Sequence, residues 1–231
     1  MEGKPVVFLH PVGLLDKEEV EAMLRQGRKA IGLAVEVGPP LAVPAGALDG
    51  VRGQIVASRL LAAVTATLDA PPPVLTGHTT YGGLRPAGSA SAPGASSPPA
   101  AGATAPAGGA GGTAPAPGPA PAFARVAVVE QDLFLPGQEY VFSVSDAKGR
   151  RAVVATRRLK ESFYKRKADP VKQRGRAARE FIAAVGGARG LPHCNDPYCV
   201  MAEARSVMDV DRKNDRFCGH CNNLIHGRMR W

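Results

Sequence analysis

The chain has 231 residues and a formal net charge of +9, so its length suits one domain or two small ones. Its 27 glycines and 21 prolines exceed the share that a folded domain of this length ordinarily contains, which indicates a segment without a packed core. No apolar run reaches the length of a membrane span, and the sequence does not open with a secretory signal. We therefore expect a soluble, cytoplasmic protein with reduced cysteines.

The first 85 residues follow a β-α-β-α pattern. An apolar run at Val6–Leu9 predicts a strand. A helix is predicted to begin after Asp16, whose side chain caps it while Glu19 closes a capping box. A second strand is predicted over residues 31–37, and a second helix over residues 51–68.

The excess of small residues is confined to residues 86–122, which consist only of Ala, Gly, Pro, Ser and Thr. Such a segment buries too little apolar surface to offset the entropy of ordering, and it predicts a disordered insert. The chain is therefore divided into an N-terminal part (1–85), the insert (86–122) and a C-terminal part (123–231). We expect the two outer parts to form one domain.

The C-terminal part continues the pattern with three strands and a helix. The predicted strands cover residues 126–130, 140–144 and 152–156, with turns at residues 136–137 and 146–149. The helix is predicted from about Val171, after Pro170, to about Gly186. The predicted order, β-α-β-α before the insert and β-β-β-α after it, predicts an α/β class fold, a mixed sheet with packed helices.

All four cysteines fall near the end of the chain, as Cys194-x4-Cys199 and Cys218-x2-Cys221. Two close pairs of cysteines in a reduced protein have the spacing of metal ligands, and four thiolates suit a tetrahedral zinc ion. We expect one structural zinc held by these four residues, because such an ion would tie down a tail with little core of its own.

The tail resembles the archaemetzincins, a family of zinc metallopeptidases with the signature HExxHxxGxxHC-x4-CxM followed by CxxC. Gly190, His193 and Met201 match this signature in register with the four cysteines. Residues 126–142 and 152–159 also resemble the strands that precede the signature in the family. The resemblance implies a metzincin-like mixed sheet with packed helices and a C-terminal four-cysteine zinc knot.

The chain departs from the family where the catalytic residues should be. In the register of HExxH stand Ala183, Ala184 and Gly187, so two histidine ligands and the glutamate base are missing. Two histidines four residues apart on a helix can hold one zinc ion together, whereas Ala and Gly supply neither a ligand nor a base. The sequence therefore predicts a pseudoenzyme without a catalytic zinc, in which Met201 is a packed core residue and His193 a remnant. We expect His220 and His226 to face solvent.

Two alternatives stay open. Glu180 lies one helical turn before the position of the lost glutamate, so an active zinc metallopeptidase with non-standard ligands is one of them. The other is a nucleic-acid or acidic-partner binder, because residues 150–180 carry 12 basic and three acidic residues. The same run also fits a solvated basic face that keeps the protein soluble. For the pseudoenzyme, we expect a monomer that binds an unidentified peptide or protein in the former cleft.

Overall fold

The structure, a computed structural model, describes residues 4–69 and 122–227. The elements of the first range are β1 (Val6–Val12), α1 (Lys17–Ile31), β2 (Ala34–Val37), β3 (Leu48–Asp49), β4 (Gln54–Val56) and α2 (Ala57–Asp69). The second range contains β5 (Ala122–Val129), β6 (Leu133–Phe134), β7 (Ser143–Asp146), β8 (Arg151–Ala155), two 3₁₀ helices (Arg157–Leu159 and Glu161–Tyr164), α3 (Pro170–Ala188), α4 (Val207–Arg212) and α5 (Gly219–Gly227). The predicted insert lies outside the described residues except for Ala122, where β5 begins.

The central sheet has five strands in the order β2-β1-β5-β8-β7. The first four strands run parallel, and β7 pairs with β8 in the antiparallel sense at the edge. A separate three-stranded sheet has the order β3-β4-β6. The predicted mixed α/β fold is thus confirmed, with an antiparallel edge strand on a parallel sheet.

Both faces of the central sheet are covered, which explains why its strands read as nearly continuous apolar runs. In β5 the side chains alternate between the two cores. Val126 and Val128 face the core that contains residues of α1, α3 and the C-terminal segment. Ala127 and Val129 face the core that contains residues of α2 and the small sheet. Among the described residues, no helix is long and apolar enough to cross a membrane.

Helix α1 begins as predicted, because the Asp16 side chain accepts a hydrogen bond from the backbone N–H of Glu19 at 2.8 Å. The Glu19 side chain was expected to close a capping box, but it is buried and accepts a hydrogen bond from Gln173 of α3 instead. The helix ends at Gly32, whose φ of 75° suits glycine. The strand predicted from residue 31 therefore starts at Ala34, since Ile31 still belongs to the helix and to the core.

Three other predicted boundaries are wrong, each because tertiary pairing overrides local pattern. Residues 54–56, predicted as helical, form β4, since Ile55 pairs with both β3 and β6. The strand predicted from residue 140 begins at Ser143. Helix α3 does not stop at Gly186 but continues to Ala188, and the chain leaves the helical direction at Gly190, where φ is 77°.

Candidate zinc centre and cleft

The sulfur atoms of Cys194, Cys199, Cys218 and Cys221 all lie within 4.8 Å of one another. The Sγ atoms of Cys194 and Cys218 are 3.7 Å apart, much longer than the roughly 2.05 Å of a disulfide bond. Four sulfurs bound to zinc at about 2.3 Å in a tetrahedron lie about 3.8 Å apart, so the spacing fits a shared zinc ion. No other group of three or more metal-ligating side chains occurs in residues 4–69 and 122–227.

Backbone N–H groups point at the sulfurs, as the ligands of a metal require. Cys199 Sγ accepts hydrogen bonds from the N–H groups of Met201, at 3.5 Å, and Cys218, at 3.3 Å. A hydrogen bond from the backbone of Cys221 lowers the pKa of the Cys218 thiol and favours its thiolate. Burial raises the pKa of Cys199 and Cys221, a cost that a bound metal cation would offset.

The segment that carries the four cysteines, residues 194–221, is called here the cysteine module, and it packs against the main core. Cys199, Cys221 and Met201 are buried in the same core as Phe181 and Val185 of α3. The N–H of Cys194 donates to the carbonyl of Met201 at 2.9 Å, and the N–H of Val200 donates to the carbonyl of Arg216 at 3.1 Å, which holds the first cysteine pair beside the segment that leads to the second. A metal at the four sulfurs would therefore stabilise the end of the core as well as the tail.

A cleft of about 880 Å³ lies between the edge strand and this C-terminal segment. One wall is formed by residues 140–145 around the start of β7, and another by α3 through Glu180, Ala183 and Gly187. Residues 190–193 and 201–205 and Lys213 complete the lining. Ala183 and Gly187, where the family has histidine ligands, thus face this cleft.

Strand β7 approaches α3 closely at one of these positions. A Cβ atom added to Gly187 would lie 2.5 Å from Ser145 Oγ and 3.0 Å from Ser145 Cβ. The Ser145 hydroxyl lies 3.5 Å from the carbonyl oxygen of Ala184. The space that a side chain at residue 187 would need is therefore occupied by the edge strand.

The preceding residue of α3, Gly186, packs against the buried Met201. A Cβ atom added there would lie 2.4 Å from Met201 Sδ and 3.3 Å from the ring of Phe217. Met201 is thus a core side chain, packed between α3 and the cysteine module. His193 is exposed at the mouth of the cleft, and His220 and His226 are exposed as well.

Comparison with known proteins matches the second described range to the model of peptidase family M54, over residues 122–227. The archaemetzincin of Methanopyrus kandleri is 33% identical over 105 residues, which is 46% of this chain and 57% of that protein. The archaemetzincin of Thermococcus kodakarensis is 36% identical over 104 residues, 45% of this chain and 56% of that protein. The C-terminal part of the chain is thus similar in sequence to the archaemetzincins.

The archaemetzincin fold extends beyond the region of sequence identity. The crystal structure of the Methanopyrus kandleri archaemetzincin covers 99% of this chain and 98% of its own, with a TM-score of 0.66 at 22% identity. A zinc-dependent peptidase from Methanocorpusculum labreanum covers 95% and 99%, with a TM-score of 0.69 at 19% identity. In sequence, however, the chain matches little more than half the length of the curated relatives.

Relative to the archaemetzincin signature, the cleft of this chain offers a single ligand of the catalytic set, His193. The residues present therefore do not fit a catalytic zinc ion. Glu180, considered above as a substitute, forms an ion pair with Lys213 at 2.8 Å, and both side chains are 3% exposed. A buried carboxylate held in this way is already neutralised by an ammonium group. The sequence had not indicated Lys213, because no short motif marks it.

At least half of the cations in the basic run, residues 150–180, are paired in the folded chain. Six of its 12 cations form ion pairs with carboxylates: Arg158, Lys160, Arg166, Lys172, Arg174 and Arg176. Exposed cations such as Lys165 and Lys167 are fewer than the sequence suggested. Binding of nucleic acid by residues 150–180 stays a prediction, with less free charge to support it.

Arg176 is the centre of this ion-pair cluster and is 0% exposed. Its guanidinium donates to Glu161 and Asp211, at 2.6 Å each, and to the carbonyl of Leu159 at 2.9 Å. We expect Arg176→Met to lower the free energy of unfolding by about 3–5 kcal/mol, because two carboxylates lose their buried partner. Denaturant unfolding measures this loss. Lys172→Met, which changes the more exposed lysine of the same cluster, is expected to cost far less, and equal losses would refute the assignment.

Proposed function

We propose that this chain is a non-catalytic member of the archaemetzincin family that holds one structural zinc ion and binds an extended peptide in its cleft. The observation that carries the proposal is the cleft wall formed by α3, where Ala183 and Gly187 stand in place of two histidine ligands, while Ala184, in the position of the base, is buried in the core. A peptidase zinc needs about three protein ligands and an open position for water. When bound in such a set, zinc lowers the pKa of a water molecule to about 7 and supplies the nucleophile.

The side chains of the cleft support loss of hydrolysis, since none replaces the missing set. Glu180 is paired with Lys213, and His193 belongs to no group of three or more metal-ligating side chains among the described residues. A lone imidazole does not retain zinc against the four-thiolate site nearby. The active metallopeptidase with unusual ligands is therefore the weaker alternative.

The backbone of β7 supports peptide binding. The N–H of Ala155 donates to the carbonyl of Phe142 at 2.8 Å, so the alternation of an antiparallel pair directs the backbone groups of Ser143 and Ser145 away from β8. No described strand pairs with that edge of β7. Outward N–H and C=O groups beside a cleft can pair with an added extended segment, with side-chain pockets giving selectivity.

The first experiment tests hydrolysis. The zinc-loaded full chain is incubated with a quenched fluorescent peptide library, with and without a zinc chelator, beside an active zinc metallopeptidase as positive control. We expect no chelator-sensitive cleavage at any peptide position. Chelator-sensitive turnover by the wild-type chain, lost on His193→Ala, would overturn the proposal in favour of an active enzyme.

A second experiment tests peptide binding at β7. The same peptides are added to isotope-labelled protein, and we expect amide shifts concentrated at residues 140–145. Ser143→Pro removes the outward N–H without touching the ladder to β8, so we expect it to weaken binding at least about tenfold. Ser143→Ala keeps that N–H and is the matched control. Equal binding by both variants, or shifts remote from the cleft, would exclude strand addition.

A further inference from the structure

Glu19 is a buried carboxyl group that forms no ion pair with any of the described residues. The residue is 2% exposed, and its Oε2 accepts a hydrogen bond from the neutral amide of Gln173 at 3.2 Å. Its Oε1 is buried and has no hydrogen-bond partner within the described ranges. A carboxylate in such surroundings loses its hydration without gaining an ion pair, so its neutral form is favoured.

The charged groups around Glu19 come from three elements. Asp16 lies on its own helix, Glu130 follows β5 and Lys160 follows β8. The Lys160 ammonium is already engaged in an ion pair with Glu130. Burial raises the pKa of Glu19 to about 7; Asp16 and Glu130 add to the rise, while the Gln173 bond and Lys160 oppose it.

This carboxyl group sits where the N-terminal ends of two parallel helices meet. Glu19 of α1 contacts Gln173 of α3, and on the same level Glu18 pairs with Arg174. Eight residues further along α1, Gly27 approaches the ring of Phe181, to which an added Cβ would lie 2.9 Å away. The Gly27–Phe181 contact is apolar and close, whereas the contact between Glu19 and Gln173 depends on polar groups.

We propose that the contact between the N-terminal ends of α1 and α3 is a proton-dependent latch, which is closed when Glu19 is neutral and loosens when Glu19 ionises. Ionisation makes hydration of the carboxylate favourable, and water reaches it only if the first turns of α1 and α3 separate. The Gly27–Phe181 contact holds the rest of the interface.

The direction of the pH effect follows from the position of the pKa in the two states. The pKa of Glu19 is about 7 when folded, above the ordinary 4.5, so the folded chain binds the proton more tightly. The stabilising effect of protonation is complete below about pH 4.5 and is lost as the pH rises through 7. Between pH 6.0 and 8.5 the unfolding equilibrium constant is expected to increase about tenfold from this group alone.

The test compares denaturant unfolding of the zinc-loaded full chain at pH 6.0 and 8.5. Glutamine has the shape of the neutral glutamic acid side chain and does not titrate. We therefore expect the ratio of the unfolding constant of Glu19→Gln to that of the wild-type chain to fall about tenfold from pH 6.0 to 8.5. Glu21→Gln changes an exposed carboxyl group on the same helix, which is 59% exposed, and is expected to follow wild type. A ratio of Glu19→Gln to wild type that is independent of pH would overturn the latch.

A second measurement keeps the inference testable if Glu19→Gln folds poorly. The carboxyl carbon of Glu19 is followed by NMR as the folded wild-type chain is titrated, together with hydrogen-exchange protection of α1 corrected for the intrinsic pH dependence. We expect a midpoint near 7 and a loss of protection in the first turns of α1 above it, with the turns around Gly27 unchanged. A midpoint below 5, or protection that does not change, would refute the proposal.

Discussion

Cys221→Ser is expected to remove the one zinc ion that we propose for the four-cysteine site and to destabilise the whole C-terminal segment. Three remaining thiolates leave one coordination position open, and a structural zinc contributes its binding energy directly to folding. We expect the free energy of unfolding to fall by on the order of 5 kcal/mol, which lowers the melting temperature by roughly 10–20 °C in a chain of this size.

Metal content and melting temperature measured on the same preparations check this expectation. Asn223→Ser is the matched control, since Asn223 is exposed on the same helix as Cys221 and is not one of the four candidate ligands. The control is expected to keep one zinc and the wild-type melting temperature. Two zinc ions per wild-type chain, or an unchanged metal content in Cys221→Ser, would contradict the single structural site.

The reason this prediction can start from sequence is that metal-ligand spacing is local. Cys218 and Cys221 are three residues apart, a spacing typical of two ligands that share one metal ion. The fold brings Cys194 and Cys199 to the same place. The helix start at Asp16 and the mixed sheet were also predictable, because capping and hydrophobic patterns depend on neighbouring residues.

The parts that sequence could not provide are those set by contacts between distant residues. Ile55 was predicted to be helical, because a short buried strand and a buried helix segment share the same composition. In the structure it pairs with β6, beside a hydrogen bond between Gln54 and Asp132, which are 78 positions apart in the chain. Arg176 looked like one member of a basic surface, yet it is the most buried charge of that run. Glu19 looked like half of a capping box and is instead a buried carboxyl group between two helices.

The interpretation of α3 combines the sequence register with contacts that only the structure shows. Register with the family signature identified Ala183, Ala184 and Gly187, but only the structure relates Gly187 to Ser145. A glycine at this position permits the edge strand to lie against α3, so restoring the signature must displace that strand. The missing chemistry and the packing are therefore coupled at one residue.

Restoring the signature by Ala183→His, Ala184→Glu and Gly187→His is expected to leave the protein without peptidase activity and with its single zinc. The Cβ of the new histidine at residue 187 would lie 2.5 Å from Ser145 Oγ, so the ligand cannot reach its rotamer without moving β7. Such overpacking costs about 1–3 kcal/mol, which weakens a second zinc site by roughly fivefold to 150-fold.

Adding Ser145→Gly to the three substitutions removes the obstructing side chain and is expected to raise the zinc content from one to two per chain. Gly187→Ala serves as the control for the steric term alone, and we expect it to destabilise the fold by about 1–3 kcal/mol in the wild-type chain but by much less with Ser145→Gly. If the triple variant without Ser145→Gly already binds a second zinc ion and shows chelator-sensitive cleavage, β7 moves at little cost. In that case only the absence of ligands and base, and not the packing of the edge strand, separates this chain from a working peptidase.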